Sequence, residues 1–385
     1  MAETWRDGGF ALYVHWPFCE AKCPYCDFNS HVVAQVDQTR WAEALVRDLA
    51  RYGEITSGRV LNSIYFGGGT PSLMLPETVG AVLRAARDHW AWANDIEITL
   101  EANPRSVEAR KFEGFALAGV NRVSLGVQAL RAPDLRRLGR LHDVREALAA
   151  LDIAKSVFDR VTFDLIYARQ NQSLKDWEEE LREALALAGD HLSLYQLTVE
   201  EGTAFWDRAQ AGKLRDLPDE DLAADLYLAT QEICESAGFS AYEVSNHAAP
   251  GAMSRHNLVY WRGGDYVGIG PGAHGRLTRN GQRAATVAYR QPGAWLSAVE
   301  QGSGEESAET LSPEDIWTEY VMMGLRLSEG LDLERAAQIG GERAARLPLE
   351  RLREMGLIWT TGERFGATLQ GRMVLNALLA DLLSE

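Results

Sequence analysis

The stretch Phe10-Ala-Leu-Tyr-Val-His-Trp-Pro-Phe-Cys-Glu-Ala-Lys-Cys-Pro-Tyr-Cys-Asp-Phe28 runs an apolar strand into a loop that carries three thiols. Phe10–Trp16 has the composition of a short strand. Tyr13 and His15 lie at its end, and Cys19, Cys23 and Cys26 follow within eight positions. The chain has four cysteines. Clustered in this way, in a protein expected in a reducing compartment, they read as ligands rather than bridges. The fourth, Cys234, sits in the helical pattern Leu226–Ala237 and reads as a small buried residue.

The same strand type recurs along the chain. Phe10–Trp16, Ser63–Phe66, Ile96–Leu100, Arg122–Val127, Val161–Ile166 and His191–Leu197 are the strand candidates. Helical patterns fall near Thr39–Tyr52, Pro76–Trp90, Ser106–Ala118, Val144–Lys155, Leu174–Ala188 and Asp219–Ala237. Apolar positions recur there at three- and four-residue spacing, as in Trp41, Leu45, Val46 and Leu49. Alternating β and α units predict an α/β protein with a parallel sheet and right-handed crossovers. Six units make an open (β/α)6 partial barrel.

A parallel barrel carries its chemistry at the C-terminal ends of its strands. The residues at those ends are polar or glycine throughout. The second strand ends in Gly67-Gly68-Gly69-Thr70, the third in Glu101 and Asn103, and the fourth in Gln128. Asp164 lies late in the fifth, and Thr198 and Glu200 follow the sixth. Six such ends imply a common mouth.

At 385 residues, 46% hydrophobic and 24% charged, the chain has the material for more than one domain. Residues 1–240 form the expected barrel. Residues 241–310 read as a loop-rich connection, with a hairpin signal at Asn280-Gly281 and a polar linker over Gln301–Ala308. Residues 311–385 give three helical patterns, a strand pair around Thr361-Gly362 and a last helix, an order resembling a winged helix. That segment holds 8 Arg and no Lys against 12 Asp and Glu, and the whole chain has a formal net charge of −16. Both argue against a nucleic-acid partner and favour a packing or partner-binding role. No apolar run is long enough to span a bilayer, and the first nine residues have no signal-like core. The cytoplasm is the expected location.

Three thiolates from one loop select zinc or an iron–sulfur cluster. Structural zinc wants four protein ligands, and His15 or His31 could supply the fourth. A four-iron cluster would instead leave one iron open to a cofactor, which suits a barrel mouth. The segment Tyr13–Phe28 resembles the radical S-adenosylmethionine (SAM) signature of the oxygen-independent coproporphyrinogen III oxidase family. Phe66-Gly-Gly-Gly-Thr-Pro-Ser72 looks like that family's glycine loop, and the resemblance covers nearly the whole chain. It implies a [4Fe–4S] cluster on Cys19, Cys23 and Cys26, with SAM on the fourth iron. It further implies SAM contacts from Tyr13, Tyr25, Gly68, Gly69, Thr70, Glu101, Gln128, Arg140, Asp164 and Thr198.

The family has an oxidase branch, which decarboxylates coproporphyrinogen III in porphyrin biosynthesis, and a heme chaperone branch. The oxidases resemble Cys-x3-Cys-x2-Cys-x-Cys, whereas Phe28 stands here in place of the fourth cysteine. The cluster motif also begins early, at residue 19. His256-Asn-Leu-Val-Tyr-Trp261 matches the His-Asn-x-x-Tyr-Trp motif of the chaperone branch, so His256, Tyr260 and Trp261 are heme candidates, with His247 and His274 as weaker rivals. The resemblance thus implies heme and its acceptors, such as respiratory hemoproteins, as partners, with a flavodoxin or ferredoxin as candidate electron donor. One departure stands out: the family's Asp-Leu-Ile-Tyr-Gly-Leu-Pro is here Asp164-Leu-Ile-Tyr-Ala-Arg-Gln170.

Overall fold

The structure, a computed structural model, describes residues 5–383. Strands β1 (Phe10–Trp16), β2 (Val60–Gly68), β3 (Ala91–Ala102), β4 (Arg122–Gln128), β5 (Arg160–Tyr167) and β6 (His191–Gln196) lie side by side and parallel. Helices α1 (Gln38–Ile55), α2 (Pro76–His89), α3 (Phe112–Ala118), α4 (Val144–Val157), α5 (Leu174–Leu187) and α6 (Glu220–Ser236) alternate with them. The helix starts are set locally. Asp37 accepts from the Arg40 N–H to cap α1, and Asp143 with Glu146, and Ser173 with Asp176, close capping boxes on α4 and α5. The six expected units are all present.

Residue parity divides the sheet. Leu12, Val14, Ile64, Phe66, Ile98, Leu100, Val123, Leu125, Phe163 and Leu192 are buried in the main apolar core with the inward stripes of the helices, such as Trp41, Leu45 and Leu49 of α1. The other face is polar. Register places Tyr13 beside Tyr65, Thr99 beside Arg122, Glu101 beside Ser124, and Asp164 beside Ser193, all on one side. A barrel interior of this composition is a site built along the strands as well as at their ends.

The sheet extends past the expected unit at both edges. β8 (Asn246–Ala248) adds antiparallel to β6, β7 (Ser240–Ala241) adds antiparallel to β8, and α7 (Arg255–Trp261) follows. β9 (Asp265–Ile269) then pairs parallel with the free side of β1, as a seventh parallel strand. Its first residue, Asp265, is fully buried between Arg59 (2.7 Å) and Arg283 (2.8 Å). Two guanidiniums on one carboxylate compensate the desolvation that would otherwise keep an aspartate out of a core. β10 (His274–Arg279) and β11 (Gln282–Ala288) form the hairpin that Asn280-Gly281 predicts, both turn residues having positive φ. β12 (Glu305–Thr310) pairs with β11. The full order is β12-β11-β10-β9-β1-β2-β3-β4-β5-β6-β8-β7.

Two expectations are thereby corrected. The stretch after residue 240 is not loop-rich but contributes β7 to β11 and α7, and much of the supposed linker at Gln301–Ala308 is strand β12. β12 reads as a linker because its side chains are largely exposed and polar, without the alternation that marks a half-buried strand.

Beyond it, α8 (Pro313–Gly324) opens a segment with its own core, in which Trp317, Val321, Leu325, Phe365 and Leu378 are buried together. Its three strands, β13 (Leu331–Asp332), β14 (Ile358–Thr361) and β15 (Arg364–Ala367), pair in the order β13-β15-β14, with helices on either side. This is the helical and small-sheet order of a winged helix. Among the described residues no helix is long and apolar enough to cross a membrane.

Candidate metal centre and cofactor cavity

A cavity of about 450 Å³ opens at the C-terminal ends of the parallel strands, a size suited to a small ligand. Cys19, Cys23, Cys26, Tyr25, Gly68, Gly69, Thr70, Glu101, Gln128, Arg140, Asp164 and Thr198 all line it. The sequence reading thus gathers into one chamber. Tyr13 is the exception. It borders a neighbouring cavity, and its hydroxyl pairs with His15 Nδ1 at 3.0 Å.

The thiol loop is short and pinned. Cys26 N–H donates to Cys23 O (3.1 Å), and Phe18–Cys19 pairs as a two-residue parallel ladder with His31–Val32. Thr70 Oγ1 donates to Cys19 Sγ at 3.4 Å and Arg140 Nη1 to Cys23 Sγ at 3.3 Å. Burial pushes the Cys19 and Cys26 thiols up from their ordinary values. Among the described residues no three His, Cys, Asp or Glu converge on a single ion position. His15 is spent on Tyr13 and on the Asn29 carbonyl (2.9 Å), and His31 Nε2 faces Asn29 Oδ1 (3.2 Å). Neither histidine completes a zinc site. Three thiols on one wall of a chamber suit a cluster in which each binds a different iron.

The glycine loop follows β2. Gly68 has φ +110, and a Cβ there would stand 2.5 Å from the His15 ring; a Cβ on Gly69 would stand 2.7 Å from the Phe18 carbonyl oxygen. Only glycine lets this backbone pass between the thiol loop and the cavity. Gln128 reaches the cavity from a positive φ of 69° at a register break between β4 and β5. A left-handed glutamine is uncommon, and such strain concentrates at sites of function.

Arg140 is not on a solvated face. It crosses under the thiol loop, with Nη2 donating to Asn103 Oδ1 (2.6 Å) and the Gly126 carbonyl (3.0 Å). The two carboxylates form no ion pair among the described residues. Glu101 accepts from Tyr65 OH (2.8 Å) and the Gly68 N–H (3.3 Å), and Asp164 from Ser124 Oγ (3.4 Å). Burial pushes Glu101 up to about 7, with the Tyr65 bond opposing and Asp164 adding to the shift. Asp164 is pushed up to about 6 by burial, against a hydrogen bond from Ser193. For carboxyls raised in this way, a nearby positive or hydrogen-donating group favours the ionised form. Tyr65, Ser124 and Ser193 were missed in the sequence. Their signal was the polar alternation Ser63, Tyr65, Gly67 within an otherwise apolar strand.

His256 lies elsewhere. It is buried at the floor of the barrel, on the opposite side of Tyr65 from the mouth, with ring centroids 4.8 Å apart. Its Nδ1 pairs with Ser63 Oγ (2.9 Å), about 16 Å along β2 from Gly68 at the usual rise per residue. Its Nε2 pairs with Tyr260 OH at 3.1 Å, and burial pushes the imidazole down to about 3. His256, a heme candidate by its motif, thus has both ring nitrogens engaged inside the protein, at a distance from the thiol chamber. Tyr260 packs on Tyr266, and Trp261 lies beneath the Arg326 guanidinium, away from the thiol chamber. His247 is buried in β8.

A family model described as the Radical SAM superfamily matches residues 13–184, and one described as the HemN C-terminal domain matches residues 311–374. The Escherichia coli (strain K12) protein named Heme chaperone HemW is 38% identical over 380 residues, covering 97% of this chain and 98% of its own. The chain belongs to the oxygen-independent coproporphyrinogen III oxidase-like radical SAM family, in its heme chaperone branch. Membership of the radical SAM family implies a [4Fe–4S] cluster and SAM, and the thiol set, the glycine passage and the Arg140 cation fit both. A second member, the Bos taurus protein named Radical S-adenosyl methionine domain-containing protein 1, mitochondrial, is 38% identical over 97% of this chain and 87% of its own. The family fold is seen in a solved structure titled "Coproporphyrinogen III oxidase (HemN) from Escherichia coli is a Radical SAM enzyme", with a TM-score of 0.80 at 23% identity. It covers 97% of this chain and 90% of that one.

Proposed function

We propose that this protein is a heme chaperone that binds heme and hands it to acceptor hemoproteins, using a SAM-bearing [4Fe–4S] centre. The observation that carries this reading over the oxidase is Phe28, 57% exposed on the rim of the chamber. It stands where the oxidases carry a fourth thiol, and it offers a bare aromatic face instead. The relatives named heme chaperone, similar over almost all of both chains, support the same reading.

Cys19, Cys23 and Cys26 would hold three irons, and the fourth would take the amino and carboxylate groups of SAM. When bound, that pair supplies one-electron chemistry at the mouth. The protein's own residues do the holding. Arg140, fixed by Asn103 and Gly126, places a cation beside Cys23 and offsets the negative charge of thiolates. Glu101 and Asp164 accept hydrogen bonds from ribose hydroxyls or the ammonium, and ligand binding draws both into the ionised form. Gln128 and Thr198 supply neutral polar contacts, Tyr25 covers the loop, and Gly68 to Thr70 bring the backbone close. A flavodoxin or ferredoxin would deliver the electron. All four cysteines are unbridged, which suits the cytoplasm.

The test pairs hemin titration with a coproporphyrinogen III turnover assay on anaerobically reconstituted protein. Stoichiometric hemin binding without decarboxylation is expected. Sustained formation of protoporphyrinogen IX would transfer the protein to the oxidase branch.

A further inference from the structure

A second cavity, of about 520 Å³, adjoins the cofactor chamber and shares Phe28, Gly68 and Glu101 with it. Its remaining lining comes from Tyr13 and His15 of β1, from Asn29, and from the segments beyond β1 through His274, Arg290 and Glu306. We propose that this cavity seats the heme, with His274 as axial ligand to the iron, Phe28 against the macrocycle and Arg290 paired with a propionate. The proposal rests on the heme-chaperone reading and gives it a site.

Three groups carry the argument. His274 begins β10 opposite Val287, is exposed, and makes no hydrogen bond with its ring among the described residues. His15, His31, His142, His191 and His256 all do, and His247, whose ring nitrogens are also without partners, is buried in β8 and lines neither cavity. Burial and the nearby Arg276 hold the His274 imidazole below its ordinary pKa, so at neutral pH it is an unprotonated donor of the kind iron takes. Arg290 is exposed, lines this cavity and has no carboxylate partner among the described residues. Phe28 and Val32, 57% and 56% exposed, put apolar surface on the same loop. An aromatic face, an open imidazole and an unpaired guanidinium match a flat apolar disc with a central metal and anionic arms.

The seat is also built. Asn29 Nδ2 donates to the carbonyls of Pro271 (2.9 Å) and Arg290 (2.8 Å), and its own carbonyl meets His15 Nε2. One side chain thus ties the thiol loop to the segments that carry Pro271 and Arg290, and Phe28 and His274 line the same cavity.

The experiment is hemin titration of the reconstituted full chain, read by the Soret band and resonance Raman, with iron and SAM binding measured in parallel. His274→Ala should change the axial-ligand signature and weaken hemin about tenfold or more, with added imidazole restoring the band position. Arg290→Glu should weaken hemin and metal-free protoporphyrin IX alike, whereas His274→Ala should affect only the iron form. Cluster content should be unchanged in both, which reports folding. Normal hemin binding by both variants would overturn this seat and leave the chaperone reading standing. Absence of hemin binding by the wild type would remove the chaperone reading itself.

Discussion

The hydroxyl of Tyr65 donates to Glu101 Oε1 at 2.8 Å, while the opposite face of the same ring stacks on His256. A cofactor-facing carboxyl therefore rests on a column of side chains that reaches the barrel floor. Tyr65→Phe deletes the donor and keeps the stack. SAM affinity, measured by calorimetry on the cluster-bearing form, should fall about five- to tenfold with iron content unchanged. Glu101→Ala should do more; if affinity is unchanged, Glu101 is a structural strand-end residue only.

Glu101 also sets a pH dependence of the cofactor-free protein. Its folded pKa of about 7 lies above the ordinary 4.5, so between those values the native state keeps a proton that the unfolded chain has released. Stability should fall as pH rises through that window, and Asp164 acts in the same direction from 3.8 to about 6. Urea unfolding from about pH 5 to about pH 7.5 should show the decline. Glu101→Gln, which cannot ionise, should flatten it, most clearly above the Asp164 range.

For the thiol loop, protein reconstituted without oxygen should bind about four irons and turn brown. Cys23→Ser should lose both, and Cys234→Ser should lose neither, since Cys234 is on the buried face of α6, with its thiol pushed up to about 12. Stoichiometric zinc with no cluster would refute the iron–sulfur assignment.

Ala168 has a φ of +57° in the turn after β5, where the family carries glycine. The turn survives because Arg169 is buried there, bonded to the Ile166 carbonyl (2.8 Å) and paired with Asp134 (3.0 Å) and Glu180. Ala168→Gly should stabilise the protein by about 1 kcal/mol, seen as a higher denaturation midpoint with an unchanged slope. Arg169→Leu should destabilise it, because Glu180 would be left buried without its cation.

His256→Ala removes partners from Ser63 and Tyr260 and empties a packed floor. A loss of about 2–4 kcal/mol is expected by urea titration. Hemin affinity per folded molecule should be retained. A selective loss of hemin binding at full stability would mean that the floor opens to admit the ligand.

The strands, the helices and the mouth were legible because their signals are local: period-2 and period-3.6 patterning, cysteine spacing and strand-end glycines. What escaped depends on pairing across long separations. β9 carries a buried aspartate that makes sense only once Arg59, from the turn before β2, and Arg283 of β11 arrive from distant parts of the chain. His256 looks like a ligand in a motif, and only the placement of α7 under the barrel shows that Ser63 and Tyr260 use both nitrogens. Phe28 was informative early for the opposite reason: its meaning lies in the loop that carries it.

A sheet of this width that never closes leaves two borders with unpaired backbone, the usual template for one molecule to stack on another. At one border the strand is two residues long, too short to recruit a neighbour. At the other, β12 carries Glu305, Glu306 and Glu309, so a second copy aligning there would set carboxylate against carboxylate. The acidity that argues against nucleic acid in this chain also guards its longest open border against polymerisation.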